Sequence, residues 1–204
     1  MGKGTQTKNR IMDIAQSAIL QKGFGATSIE ELIVEAEITK SGFFYHFKDK
    51  SELARALLER YLAQDEDYFD EIFDRASELI EDPLQSFLVG LKMMAETMAD
   101  LPDGHPGCLV AIYCYHERLY DSGVRKLNKD GVLLWRNRFR NTLENIAEQY
   151  PPHEETDLET LADMLSTILE GGIVLSKALG EPKILADQIM MYRSHIKMLF
   201  LPRK

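Results

Sequence analysis

Almost everywhere from Ile11 to Phe200, the apolar residues of this chain recur at intervals of three and four. That is the rhythm of side chains gathered on one helical face, and no stretch shows the two-residue alternation of a half-buried strand. Ile11, Ile14, Ala15, Ala18 and Ile19 define the first face, and Gly23 supplies a residue able to take the left-handed conformation that ends it. Thr27 stands three residues before Glu30, the spacing of a capping box. Ile29, Leu32, Ile33 and Ala36 then form the stripe of a short second helix. After a tight turn, a third helix of only two turns starts at Thr39 and ends near FKDK, where Ser51 and its acidic neighbours open a much longer fourth. Pro83 takes the first position of a fifth helix carrying Phe87, Leu91, Met94 and Met98, which stops at LPDGHPG. Residues 107–120 and 122–149 read as a sixth and a seventh, PPHEE breaks the chain, and two more helices follow, the last opened by Pro182. The expectation is an all-α fold of about nine helices.

Composition narrows the class. The 204 residues, 45% hydrophobic and 28% charged, are ordinary globular material. No run of about 18 apolar residues occurs and the start MGKGTQTKNR is polar, so neither a membrane span nor a secretory signal is expected and the reading is cytoplasmic. Cys108 and Cys114, six apart with no partner in ligand register, read as small core residues rather than a zinc site. No Gly-rich phosphate loop, HExxH pair or nucleophile elbow occurs, so no cofactor, metal or catalytic set is expected. The net charge of -9 is unevenly spread: residues 1–60 carry nine Lys and Arg against eight Asp and Glu, whereas the remaining 144 carry 15 against 25. Only the N-terminal segment could offer phosphate a favourable surface. Asp65, Glu66, Asp67, Asp70, Glu71 and Asp74 on the fourth helix read as a mostly solvated face, because a straight helix splays carboxylates rather than converging them on a metal.

Two short helices around a tight turn, the second rich in rings and hydrogen-bonding groups, have the layout of a helix-turn-helix. Thr39 and Lys40 would meet bases and phosphates at the N-terminus of the third helix, where N–H groups are unpaired. Ser41 and Gly42 leave room for close approach. Phe43 and Phe47, four apart, would lock the helix inward, while Tyr45 and His46 project polar tips and Lys50 anchors a phosphate. Taken singly, aromatic residues at this spacing are as well explained by a core; it is the combination that points to DNA.

The segment TSIEELIVEAEITKSGFFYHFKDKSEL resembles the DNA-binding signature of the TetR/AcrR family of bacterial transcriptional regulators, the likeness covering residues 8 to about 60. The resemblance implies that Thr27, Thr39, Lys40, Ser41, Gly42, Phe44, Tyr45, His46 and Lys50 stand where relatives touch operator DNA, mostly at phosphates. Two departures stand out. Phe44 replaces a tyrosine whose hydroxyl commonly reaches phosphate. The turn reads Ala36, Glu37, Ile38 where glycine is common, so it adopts either another conformation or a left-handed residue at a cost of roughly 1 kcal/mol.

The resemblance also implies a helix-turn-helix head, residues 5–52 with its motif at about 28–47, and a helical effector-binding and dimerisation domain, 53–204. Phe87, Met94, Met98, Cys108, Tyr113, His116 and Trp135 could line an effector pocket, thioethers and rings adapting to an apolar ligand while Tyr and His orient a polar end; the same residues would equally fill a core. Leu158, Leu161, Leu165, Leu169 and Gly172, with Ile184, Leu185, Ile189, Ile196 and Phe200, trace stripes on the last two helices that are either core or dimer interface. The expected function is a homodimeric repressor released from a palindromic operator by a small molecule. The alternatives are a DNA-binding regulator without such an effector and, further off, a helical enzyme using Tyr45 and His46 or His116 and Glu117.

Overall fold

The computed structural model describes residues 2–201. Among them no strand occurs, and the helices are α1 Lys3–Lys22, α2 Ile29–Glu35, α3 Lys40–His46, α4 Lys50–Phe69, α5 Pro83–Ala99, α6 Leu109–Tyr115, α7 Ser122–Gln149, α8 Leu158–Leu179 and α9 Lys183–Phe200. α4 does not stop at Phe69: it passes through a π-helical turn, Asp70–Asp74, and resumes as α-helix over Arg75–Leu79. With that run counted as one, the described residues form the expected nine-helix architecture.

Capping chemistry sets most helix ends. Gly23 closes α1 at φ 84° and ψ 160°, a region essentially reserved for glycine, with its N–H bonded to Ile19 O. Asp82 caps α5, accepting the Gln85 N–H at 2.8 Å, with Pro83 in the first position. Gly180, left-handed at φ 67°, ends α8.

Three ends differ from the sequence expectation. α2 is capped by Ser28, whose Oγ accepts the Glu31 N–H at 3.2 Å, while Thr27 is buried and donates its hydroxyl to Gly23 O at 3.0 Å. α4 starts at Lys50 rather than Ser51, because Asp49 Oδ1 accepts the Glu52 N–H at 2.8 Å and Glu52 Oε2 accepts the Lys48 N–H at 2.6 Å. α6 ends at Tyr115 and gives way to a 3₁₀ turn, Glu117–Leu119, instead of filling 107–120. The turn after α2 takes the left-handed option without glycine: Glu37 has φ 50°, and bonds from Glu37 N–H to Val34 O and Ile38 N–H to Ile33 O, both 3.1 Å, make a Schellman motif.

The chain divides into two compact units, one formed by residues through Gln64 with Cys108–Gly131, the other by Asp65–Gly107 with Val132 onward. The first takes in the start of α4 and all of α6 as well as the helix-turn-helix. Its core gathers Ile11, Ala15 and Ile19 of α1 with Leu32, Phe43, Phe47, Leu53 and Leu57. Beside them Tyr113 stacks on Tyr120 (centroids 4.2 Å, 12°) and donates its hydroxyl to Ala54 O at 2.7 Å.

In the second unit α9 packs along α5 and α8. Arg193 Nε donates to Leu88 O at 2.7 Å, Tyr192 OH to Leu161 O at 3.0 Å, and the Leu185 N–H to Ser176 Oγ at 3.1 Å. A Cβ on Gly172 would lie 2.8 Å from Leu185 Cδ1, so α8 and α9 approach closely there. Leu161, Leu165, Gly172, Leu185, Ile189, Ile196 and Phe200 are therefore core of their own unit. A different apolar face of the pair, Met164, Val174, Leu175, Leu179, Met191 and Met198, lies exposed. Asp65 corrects the reading of a solvated acidic face: burial, then the Glu66 charge, pushes its carboxyl up to about 7.

Candidate nucleic-acid interface

α3 is a two-turn helix held by its own ends. Thr39 Oγ1 accepts the Gly42 N–H at 3.0 Å and lies 3.0 Å from Ser41 Oγ, joining the two hydroxyls into one polar edge. Gly42 serves this cap as much as any approach from outside, since a Cβ there would stand 3.3 Å from Thr39 Oγ1. Phe43 and Phe47 are buried, 5.8 Å apart, as their spacing predicts. With those rings fixed inward, the 100° step of a helix turns Lys40, Ser41, Phe44 and Tyr45 outward. Tyr45 is 82% exposed and Phe44, edge-on to Phe43, 44%. His46 is half-buried against Tyr45, and the first turn of α1 lies beside it: a Cβ on Gly4 would be 3.9 Å from His46 Cε1.

Charge in this unit is sorted by ion pairing. Lys22 pairs with Glu31, Arg60 with Asp13 at 2.7 Å, and Arg55 with Asp121 at 3.7 Å. Lys8, Arg10, Lys40 and Lys48 are exposed and have no ion-pair partner among the described residues. Lys48, Lys8 and Arg10 were not singled out from the sequence, although the lysines of FKDK were the available signal.

Two expected contacts change role. Thr27 is 1% exposed, so its side chain has no surface to present. Lys50 donates to Phe24 O at 2.5 Å and sits 4.2 Å from the centre of the Phe24 ring, its ammonium held inside the head, where burial moves its pKa down. The remaining seven, Thr39, Lys40, Ser41, Gly42, Phe44, Tyr45 and His46, fall on or at the cap of α3.

The residues expected around an effector divide between the units. Cys108, Tyr113 and His116 lie in the first, where Cys108 Sγ caps α6, Tyr113 is committed to Ala54 and His116 is exposed. Phe87, Met94, Met98 and Trp135 lie in the second. Phe87 and Met94 are buried in the α5 core, Met98 is half-buried, and Trp135 has an indole N–H shut off from solvent without a partner.

Residues 11–57 match the profile of the bacterial regulatory proteins, tetR family. The HTH-type transcriptional regulator AcrR of Shigella flexneri is 38% identical over 48 residues, which are 24% of this chain and 22% of AcrR. The HTH-type transcriptional repressor NemR of Escherichia coli K12 is 32% identical over 65 residues, 31% of this chain and 33% of NemR. The chain thus spans about a fifth of the length of AcrR and a third of that of NemR. The crystal structure of a TetR transcriptional regulator from Chloroflexus aurantiacus J-10-FL superposes with a TM-score of 0.82 over 99% of this chain and all of that one, at 18% identity, a likeness of fold. No helix among the described residues is long and apolar enough to cross a membrane. Residues 11–57 thus resemble the tetR family of bacterial regulatory proteins in sequence, and the chain over its whole length shares the fold of a TetR transcriptional regulator.

Proposed function

We propose that the protein is a DNA-binding transcriptional regulator, a homodimeric repressor released from a palindromic operator by a small-molecule effector, acting in the cytoplasm and catalysing no reaction of its own. The observation that carries this reading is α3: a capped two-turn helix whose rings Phe43 and Phe47 are buried while Lys40, Ser41 and Tyr45 face out. Unpaired N–H groups at its N-terminus and the Lys40 ammonium suit phosphate, and the Tyr45 phenol can reach a groove edge. AcrR and NemR, the relatives of the head, are a regulator and a repressor by name.

Dimerisation is supported by the outward apolar face of α8 and α9, where Leu179, Met191 and Met198 are each more than 60% exposed. Such a face on a helix pair suits a two-fold four-helix bundle, which would set two α3 helices about 34–36 Å apart for successive major grooves. Coupling to an effector would use α4, which runs continuously from the first unit into the second. Whatever factor the effector takes from DNA affinity, DNA must take from effector affinity.

The test is fluorescence anisotropy with the DNA flanking the protein's own coding region. Wild type should bind a specific fragment, and Lys40→Ala and Tyr45→Ala should each weaken that binding. Equal binding by wild type and both variants would remove α3 as the contact surface.

A further inference from the structure

The second unit contains a cleft of which the sequence singled out only Phe87 as an effector contact. It is partly open, about 170 Å³ in volume, and lies among the π-helical turn of α4, the first turn of α5 and the second half of α7. Three phenylalanines form its walls: Phe73 stacks on Phe87 (5.6 Å, 30°) and meets Phe139 edge-on (5.8 Å, 75°). An apolar cavity of about 150 Å³ accepts a benzene ring, so the volume fits one ring and a small substituent.

The polar side of the cleft selects among rings. Of the buried polar residues, Thr27, Asn128 and Ser176 each make a side-chain hydrogen bond, whereas Ser86, 7% exposed, makes none among the described residues and lines the cleft. Its hydroxyl is not shut off from solvent, and a hydroxyl on the wall of a cleft can exchange water for a ligand group. Charge at the rim rules against an anion. Arg138 already bridges Glu66 and Asp70 through Nη2, and Asp74 adds a third carboxylate, leaving the surroundings net negative. The third observation is the π turn itself. Such turns are frequent at functional sites, and this one supplies Phe73 and Asp74 to the lining.

We infer that this cleft binds a neutral single-ring aromatic carrying a hydroxyl group, its ring held among Phe73, Phe87 and Phe139 and its hydroxyl bonded to Ser86. Of the residues expected around an effector in this unit, Phe87 lines the site, whereas Met94, Met98 and Trp135 do not. Binding there does not depend on the operator reading, because it is measured on the free protein.

The test is isothermal titration calorimetry of the full-length chain at pH 7 with phenol, toluene and benzoate, supported by the fluorescence of Trp135, the single tryptophan. Phenol should bind saturably, one per chain, with toluene weaker and benzoate at least about tenfold weaker than phenol. Ser86→Ala should weaken phenol roughly three- to tenfold and leave toluene unchanged. Ser86→Leu, which fills the space, should abolish both while thermal melting shows it folded; if it does not fold, Ser86→Ala decides. No saturable binding of phenol by about 10 mM, a weak-fragment affinity limit, would overturn the assignment. So would an affinity for phenol that Ser86→Ala leaves unaltered.

Discussion

Lys40 and Lys50 lie ten residues apart in the same head, one with its ammonium in solvent and the other with its ammonium on the Phe24 carbonyl and ring. Lys50→Ala should accordingly lower the unfolding free energy by about 1–2 kcal/mol, read from urea denaturation, through a lost hydrogen bond and a lost cation–π contact. Asp65 makes a pH prediction. Its carboxyl titrates near 7 in the folded chain against 3.8 ordinarily, so the folded state holds the proton more tightly. Its contribution to stability is therefore full below about pH 4, declines as pH rises through 7 and is gone above it. Asp65→Asn should be more stable than wild type at pH 8, by on the order of 2–4 kcal/mol, and about equal to it at pH 4. A gap that does not depend on pH would contradict the buried carboxyl. At this scale the sequence is legible where neighbours are local. Phe43 and Phe47 were assigned inward from spacing alone, whereas the role of Lys50 depends on Phe24, 26 residues upstream. The cap of α2 was misplaced by one because Thr27 and Ser28 each precede a glutamate by three, and only burial chooses between them.

Helix ends and turns carry the next set of expectations. Glu37 holds the left-handed position of the α2–α3 turn, which a Cβ disfavours by roughly 1 kcal/mol. Glu37→Gly should thus be neutral to about 1 kcal/mol stabilising, and Glu37→Val should cost about 1 kcal/mol or more, because a β-branched residue is still worse there. Equal melting temperatures for both variants would rule out the left-handed turn. Gly90 is where α5 admits Phe73: a Cβ there would stand 2.4 Å from the ring, so Gly90→Ala should destabilise by about 1–3 kcal/mol through overpacking. The helices could be read from periodicity and breakers, and α7 and the Pro-led α5 fall where that reading put them. The π turn could not, since one extra residue per turn leaves the apolar spacing of YFDEIF compatible with plain α-helix. The end of α6 was missed for a related reason: Tyr113 and Tyr120 continue the apolar pattern although the backbone between them leaves the helix to stack the two rings.

For the whole molecule, the head was recognisable because short local patterns specify a helix-turn-helix. The division of the effector candidates was not, since Cys108, Tyr113 and His116 join the first unit only through the path of the chain. The exposed face of α8 and α9 leads to an assembly prediction: Leu175→Arg with Met191→Glu should shift the protein from dimer to monomer in sedimentation. Operator binding should weaken with it, as half-sites are lost from a two-fold complex. The central claim, that the first turn of α3 meets DNA phosphate, is tested most directly by the salt dependence of operator affinity in wild type, Lys40→Ala and Lys50→Ala. Lys40→Ala should reduce the slope of log K against log salt by about one unit, while folded Lys50→Ala should keep the wild-type slope. An unchanged slope in Lys40→Ala would contradict the account.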